Sequence, residues 1–193
     1  MAPDATLSDD ALLTLFANGD PQAARSLTAR LGPRSFSVAL RVLGDRDEAE
    51  DVAQEAMMRL WRMAPEWRPG TAQVSTWLYR VTLNLCLDRK RRASRAGVQR
   101  LDDVAEPPDP APGAPERMQE GARADALQAA LMSLPERQRQ AVVLRHIEEL
   151  SNPEIAGIME ISVEAVESLT ARGKRALAAV LAGRRAELGY SDG

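Results

Sequence analysis

The sequence contains very few of the residues that build disulfides, zinc sites or nucleophilic active sites. One cysteine, Cys86, and one histidine, His146, occur among the 193 residues, so an intrachain disulfide and a Cys/His zinc site are both excluded. Cys86 lies in an apolar run and is interpreted as a small core residue. The chain has no Gly-rich phosphate loop and no nucleophile motif. We therefore expect no catalytic residue, metal, cofactor or small-molecule substrate, and predict that the protein is not an enzyme.

Aromatic residues and long apolar runs are also scarce. Aromatic residues make up 4% of the chain and hydrophobic residues 45%, so the core must consist of Leu, Val, Ile, Met and Ala. Abundant Ala and Leu with only short β-branched runs favour helices over strands, which predicts an all-α fold. We find no signal-peptide pattern and no apolar run long enough to span a bilayer, and this predicts a cytoplasmic protein.

Charge is distributed unevenly, although the net charge is only −3. Residues 45–55 hold six acids and one Arg, whereas residues 89–100 hold six bases and no acid. The alternation repeats in residues 101–120, which are acidic, and in residues 172–185, which hold five bases and no acid. Two basic patches in an otherwise acidic chain favour contact with phosphates. The alternative is solvated helix ends, where the helix dipole favours Arg.

The first half of the chain is predicted to form consecutive helices. Ser8 and the pair Asp20-Pro21 are typical of helix starts, because a short polar side chain accepts from a free amide and proline suits the first turn. Gly32-Pro33 predicts an interruption. Asp45 is then expected to begin a long helix. Seven apolar side chains of that helix follow the spacing of one buried stripe: Ala49, Val52, Ala53, Ala56, Met57, Leu60 and Trp61.

This helix and the next one both carry polar side chains beside their apolar stripe. Asp51, Gln54, Glu55 and Met58 fall on a flank that can face outward. Ser75 is predicted to cap a following helix, which turns Leu78, Val81 and Leu85 inward. Its other side carries Trp77, Arg80 and Asn84 and ends in the dense basic run Arg89, Lys90, Arg91 and Arg92.

A change of composition predicts a division into two domains. Five of the twelve prolines lie in the segment "PPDPAPGAP", which is flanked by acids and is typical of an extended linker. We expect an N-terminal domain over residues 1–95, a Pro-rich acidic linker over residues 96–121 and a C-terminal domain over residues 122–193.

The C-terminal domain contains a predicted helical hairpin, "ELSNPEIAGIMEISVEAVESLTARGKRAL". Ser151 and Glu154 have the spacing of a capping box, and Ser162 is expected to cap the second helix. A joint of about three residues between two short helices is typical of a helix-turn-helix, whose second helix enters the major groove of DNA. The geometry alone gives DNA binding only a modest advantage over a plain core hairpin. The side not needed for packing carries Ser162, Glu164, Ala165, Glu167, Ser168 and Ala171, followed by Arg172, Lys174 and Arg175.

Three segments, in order, resemble a known family. "DEAEDVAQEAMMRLWR", "STWLYRVTLNLCLDRKRR" and "LMSLPERQRQAVVLRHIEELSNPEIAGIMEISVEAVESLTARGKRAL" are similar to the extracytoplasmic-function (ECF) sigma factors, the small two-domain members of the sigma-70 family of RNA polymerase. The resemblance covers nearly the whole chain and includes a variable linker between the domains. It implies a factor that directs core RNA polymerase to promoters.

The resemblance also implies a role for each surface. Asp51, Gln54, Glu55 and Met58 match the helix that binds the β′ clamp helices of polymerase, and the β subunit is a further expected contact. The family recognises the promoter −10 element with the next loop and helix, which implies DNA contact by Trp77, Arg80, Asn84, Arg89, Lys90, Arg91 and Arg92. The loop "RPGTAQVS" departs from the family pattern.

The second helix of the hairpin would read the promoter −35 element, with the nine residues of its exposed side. Glu160 occupies a joint where the family often has Gly, so we expect a strained left-handed residue there. Glu167 and Leu169 stand where many members carry basic residues, which predicts an unusual promoter sequence.

The implied partners are core RNA polymerase, promoter DNA and an anti-sigma factor that covers the polymerase-binding surfaces. The alternative is a helix-turn-helix regulator that binds operator DNA as a dimer and senses a ligand with its N-terminal helices. The two hypotheses differ in one respect: the sigma factor binds polymerase tightly and free DNA weakly.

Overall fold

The computed structural model describes residues 7–70, 72–95 and 115–183, with the backbone alone at 115–120. No strand occurs among these residues, and the predicted all-α fold is confirmed. The helices are α1 (Asp9–Ala17), α2 (Pro21–Leu43), α3 (Arg46–Met63) with a 3₁₀ turn at Ala64–Glu66, α4 (Val74–Arg95), α5 (Pro115–Met132), α6 (Glu136–Val142) with a π-helical turn at Val143–Ile147, α7 (Asn152–Met159) and α8 (Val163–Ala182).

Three predicted helix starts of the N-terminal half are confirmed. The side chain of Ser8 accepts a hydrogen bond from the amide three residues on, at 3.2 Å, and Asp45 does the same at 2.9 Å. Asp20 accepts from the amide two residues on at 2.8 Å, with proline at the first helical position. Each cap satisfies an amide that the helix itself leaves unpaired.

The predicted interruption at Gly32-Pro33 is wrong, because α2 runs unbroken through both residues. Pro33 has no amide hydrogen, so the carbonyl of Ala29 loses its helical partner. Pro33 and Ala29 are exposed and Gly32 is half-buried, so water can replace that partner. The opposite face of α2 is buried, and its packing holds the helix together across the proline. The buried residues of α2 are Ala23, Leu27, Leu31, Ser35, Val38, Ala39 and Val42.

Two further predicted boundaries shift. Ser75 lies in the first turn of α4 rather than at its cap, because the helix already begins at Val74, which is buried in the core.

α5 begins at Pro115, within the predicted linker, so the proposed boundary at residue 121 falls inside this helix. Proline is favoured in the first turn of a helix, so the last proline of the run starts α5. The rest of the linker, residues 96–114, lies outside the described residues.

The C-terminal half contains the predicted helix-turn-helix, formed by α7 and α8. The capping box at Ser151 is confirmed, since its amide donates to Glu154 Oε2 at 2.8 Å and its hydroxyl accepts from the Glu154 amide at 3.5 Å. Ser162 caps α8 by accepting from the amide three residues on at 3.2 Å. Glu160 joins the two helices in the expected left-handed conformation, with φ of 53°.

A close crossing of α6 and α8 depends on a glycine. Gly173 is buried, and a Cβ atom added there would lie 2.5 Å from Cγ2 of Val142 and 3.3 Å from the carbonyl oxygen of Gln138. Since contacts below 3 Å require a shift, only glycine permits this helix separation. The crossing sets the orientation of α8 relative to the rest of the C-terminal half.

The two halves share one continuous core among the described residues. Arg139 on α6 is only 5% exposed and donates from Nη1 to the carbonyl oxygen of Val42, at the end of α2, at 2.7 Å. It also donates to three carbonyl oxygens around the α5–α6 corner, those of Leu131, Met132 and Leu134, and to Met132 Sδ at 3.3 Å. Burial lowers the pKa of Arg139 from its ordinary value. The guanidinium thus joins the ends of α2 and α5.

Replacing Gly173 by alanine is expected to lower the free energy of unfolding by about 1–3 kcal/mol, because Val142 is fixed in the core and α8 must move away. The matched control is Gly157→Ala on the exposed side of α7, where an added Cβ meets nothing within 4 Å. That change is expected to stabilise by up to about 1 kcal/mol through helix propensity. Urea denaturation measures both; equal effects of the two variants would contradict the close crossing.

Candidate nucleic-acid interface

The flank predicted on α3 forms one wall of a groove between α3 and α4. Asp51, Gln54 and Met58 are exposed and Glu55 is half-buried; Met58 leaves 48% of its surface open. The groove has a volume of about 450 Å³, and all four predicted polymerase-binding residues line it together with five others. Its lining consists of Asp51, Gln54, Glu55, Met58, Arg59, Leu85, Asp88, Arg89 and Arg92. Three carboxylates and three guanidinium groups line the groove, so it can pair with charges of either sign on a partner.

Glu55 is the most strongly held carboxylate of this groove. It accepts from Arg59 Nε at 2.8 Å and from Arg62 Nη2 at 3.2 Å. The hydrogen bond from Arg59 is the largest cause that lowers the pKa of Glu55 below its ordinary value. Glu55 is therefore ionised at neutral pH, and its arginine partners fix the position of its charge.

Arg89 connects the groove to the basic run of α4. Its guanidinium pairs with Glu48 and, at 3.4 Å, with Asp51, both on α3. The hydrogen bond that Arg89 donates to Glu48 is the largest cause that raises the pKa of Arg89. Arg89 is thus a predicted DNA-contacting residue that, in this structure, ties α4 to α3 beside the predicted polymerase-binding surface.

The other predicted −10 residues lie along α4 in different surroundings. Arg80 pairs with Glu160 of the C-terminal half, and Lys90 Nζ lies 3.2 Å from Glu136 Oε1 without hydrogen-bond alignment. Asn84 is exposed, as are Arg91 and Arg92, and Trp77 is half-buried against the core. All of these residues therefore lie on one helix, but two of its cations, Arg80 and Lys90, are paired with acids of the C-terminal half.

Two aromatic side chains have anchoring contacts that the sequence did not indicate. Tyr79 is 2% exposed, and its hydroxyl donates to Glu148 Oε2 at 2.5 Å. Burial is the largest cause that raises the pKa of Tyr79, so the phenol stays protonated. Trp67 Nε1 donates to Asp10 Oδ1 at 2.6 Å and ties the loop before α4 to α1. Both partners are distant in sequence, and no local pattern marks such pairs.

The outward side of α8 is exposed and can enter a groove of DNA. Val166 and Gly173 are buried. Among the nine predicted −35 residues, Ala165 alone is half-buried and the others are exposed: Ser162, Glu164, Glu167, Ser168, Ala171, Arg172, Lys174 and Arg175. Hydrogen bonds from its own amide and from Ser162 lower the pKa of Glu164. The first turns of α8 are acidic and the later ones are basic, so phosphate contacts would fall towards its middle and end.

Two departures from the family pattern have different surroundings. Glu167 is exposed, and its Oε1 accepts from Asn152 Nδ2 at 3.5 Å. Leu169 is half-buried and packs against the core, so it belongs to the inner side of α8. Only Glu167 therefore changes the chemistry of the outward face, where a carboxylate can accept from the amino group of cytosine.

The fold and these surfaces define a two-part helical factor with a helix-turn-helix at its C-terminal end. Residues 27–96 match the family described as Sigma-70 region 2, and residues 124–177 match the family described as Sigma-70, region 4. The ECF RNA polymerase sigma factor SigE of Mycolicibacterium smegmatis is 37% identical over 180 residues, covering 91% of this chain and 69% of that protein. The ECF RNA polymerase sigma factor SigM of Mycobacterium tuberculosis (strain H37Rv) is 34% identical over 174 residues, covering 90% and 85%. The chain therefore belongs to the ECF RNA polymerase sigma factors.

Solved structures are similar over the whole fold. CnrH, solved in complex with the cytosolic domain of CnrY, has a TM-score of 0.65 at 28% identity and covers 91% of this chain and 97% of its own. The sigma factor RpoE from Bartonella quintana, in complex with the anti-sigma factor NepR, has a TM-score of 0.65 at 22% identity, with 81% and 95% covered, and shows the same fold. None of the helices in the described ranges combines the length and the hydropathy that a bilayer-spanning segment needs.

The pair Arg89–Glu48 is expected to show a coupling free energy of about 0.5–1 kcal/mol in a double-mutant cycle of Arg89→Gln and Glu48→Gln, because both side chains are about 30% exposed. The cycle is measured by urea denaturation at low and at high salt. Arg46–Glu50 on α3, with side chains 75% and 56% exposed, is the control and should show a smaller coupling. A coupling free energy near zero for Arg89 and Glu48 would show that Arg89 does not hold α4 against α3 and is available for DNA contact alone.

Proposed function

We propose that this sigma factor recruits core RNA polymerase through α3 and recognises promoters with α4 and α8. The observation that carries the proposal is the groove that brings Asp51, Gln54, Glu55 and Met58 together, in a chain that also carries two separate basic segments. The protein then contributes recognition and positioning rather than catalysis, and it works in the cytoplasm, where polymerase and promoter DNA are found. Its two recognition units correspond to residues 1–95 and to the C-terminal half predicted as 122–193, whose first helix, α5, takes in the end of the segment 96–121.

The polymerase contact is assigned to the groove lined by Asp51, Gln54, Glu55 and Met58. Its carboxylates suit the basic side chains of a helix such as the β′ clamp helices, and the exposed Met58 offers an adaptable apolar contact at the rim. Contacts with the β subunit are assigned to the C-terminal half. Charged groups at such a rim chiefly set the association rate and the partner choice.

The promoter contacts are assigned to two helices. α4 serves the −10 element with its exposed basic end and with Trp77, which can stack on an unpaired base. α8 serves the −35 element, with Arg172, Lys174 and Arg175 on phosphates and the first turns of the helix on base edges. Two sites in one chain allow weak individual contacts, because each increases the effective concentration of the other.

An anti-sigma factor is the proposed regulatory partner. CnrH, at 28% identity, is solved with the cytosolic domain of CnrY, so a factor of this fold can be held by a second protein. The surfaces available for such a partner here are the α3–α4 groove and the outward side of α8. A dimeric operator-binding regulator is not favoured, because residues 27–96 match Sigma-70 region 2, and such a regulator has no need of a polymerase-binding groove.

Replacing Asp51, Gln54 and Glu55 together by alanine is expected to weaken binding to core polymerase at least tenfold, because the groove loses its anchored charge. The measurement is fluorescence anisotropy of the labelled chain titrated with core polymerase.

The matched control is the double variant Asp47→Ala and Glu50→Ala, which also removes two acids from exposed positions of α3 but leaves the groove intact. It should bind polymerase within about twofold of the native chain. Circular dichroism verifies that both variants remain helical. Undiminished binding of the triple variant would refute the assignment of the groove.

A further inference from the structure

The outward side of α8 carries two acidic side chains, Glu164 and Glu167, which are the only acids of this helix. Glu164 belongs to the first turn, where hydrogen bonds from its own amide and from Ser162 lower its pKa. A negative charge at this place stabilises the positive end of the helix dipole. The start of the helix therefore accounts for Glu164, whereas Glu167 lies one turn later and has no such role.

Glu167 also lacks a cation at the spacings that stabilise a helix. Glu164, three residues before it, is a like charge, and positions 163, 170 and 171 are uncharged. Like charges at this spacing destabilise a helix. Within the residues that the structure describes, no lysine or arginine forms a salt bridge with Glu167, whose side chain is exposed. The helix itself thus gains nothing from this carboxylate.

One contact reaches Glu167 from the first helix of the helix-turn-helix. Asn152, the first residue of α7, is half-buried, and its Nδ2 donates to Glu167 Oε1 at 3.5 Å. α7 itself is fixed by the capping box at Ser151 and by the buried side chain of Ile155. A bond of this length is weak, so it orients the carboxylate without neutralising it. The second oxygen, Oε2, stays available to a ligand.

An ionised carboxylate only accepts hydrogen bonds, and this limits the groups that it can recognise in DNA. Phosphate oxygens, guanine N7 and O6, and thymine O4 are acceptors, so they oppose a carboxylate. The donors in the major groove are the amino groups of cytosine and adenine, and adenine presents the acceptor N7 beside its amino group. Cytosine is therefore the base that suits the exposed carboxylate of Glu167 best.

We propose that Glu167 selects cytosine at one position of the −35 element, and that Asn152 is the positioning residue that orients its carboxylate towards the base. This selectivity rests on the proposed function, which assigns the −35 element to α8. Arg172 follows Glu167 by about 7.5 Å along the helix axis, so the basic residues can hold phosphates while Glu167 reaches a base edge. Thymine is rejected most strongly, because its O4 brings an acceptor against an acceptor where cytosine has a donor.

The test is a selection from a pool of random duplexes, carried out with core polymerase bound to the full chain. Bound duplexes are sequenced for the native chain and for the variants Glu167→Gln, Glu167→Ala, Asn152→Ala and Glu149→Gln. Glu149→Gln is the matched control, because it removes the same charge from an exposed side chain of the same half, outside α7 and α8. Duplexes that differ in one base pair then give the fold-change in affinity by competition. Circular dichroism verifies that each variant remains helical.

The native chain should enrich an upstream element with cytosine at one position, and it should prefer cytosine to thymine there about tenfold. Glu167→Gln should shift this position towards adenine, since a side-chain amide pairs with adenine N6 and N7. Glu167→Ala should lose the preference at this position, and Asn152→Ala should reduce it about threefold. The neighbouring positions should keep their preferences in all of these variants. Glu149→Gln should match the native chain at every position.

An enriched element that stays the same in both Glu167 variants would overturn the selectivity and leave the proposed function intact. Tighter binding of all duplexes by Glu167→Ala, with unchanged base preferences, would also overturn it, because Glu167 would then lie beside a phosphate. Loss of preference at several positions in Asn152→Ala would overturn the positioning role and assign Asn152 to the packing of the helix-turn-helix. If the native chain with core polymerase enriches no shared element, the proposed function fails and the selectivity fails with it.

Discussion

The buried guanidinium of Arg139 is the interaction on which the arrangement of the two halves depends. It has no carboxylate within hydrogen-bonding distance among the described residues and instead donates to carbonyl oxygens at the ends of α2 and α5. Those carbonyls carry the negative ends of two helix dipoles, which offsets the cost of burying the charge. Because every donor needs its own acceptor, the end of α2 and the α5–α6 corner can meet in only one register. The placement of α7 against α4 follows from that register.

Local signals in the sequence were sufficient for most helices and for the helix-turn-helix. Helix caps and apolar stripes depend on residues that are close in the chain, so they can be predicted from the sequence directly. This holds for the caps at Ser8, Asp45 and Ser162 and for the stripe of α3. Gly32-Pro33 was misread because the burial of α2 outweighs a missing hydrogen bond, and burial is a property of the folded chain. Ser75 was misplaced for a similar reason, since the packing of Val74 extends α4 by two residues at its start.

The candidate site was predictable as surfaces but not as a network of contacts. The flank of α3 and the outward side of α8 could be identified from periodicity and from the family resemblance. The partners of their side chains could not, because Tyr79 and Glu148 are separated by 69 positions, and Arg139 and Val42 by 97. Acidic and basic segments that alternate along the chain also meet in the structure, where Arg89 pairs with Glu48 and Asp51. Cations suited to phosphates are equally suited to carboxylates of the same chain, as the pairing of Arg89 with Glu48 shows.

In-vitro transcription with purified core polymerase on a pool of genomic DNA fragments tests the central claim most directly. The account predicts that the native chain directs initiation at a limited set of positions and that these positions share sequence at two upstream elements. It also predicts that the chain alone binds the same fragments weakly. Initiation by core polymerase at the same positions with and without the chain would contradict the account, as would tight binding of the chain alone to a palindromic site.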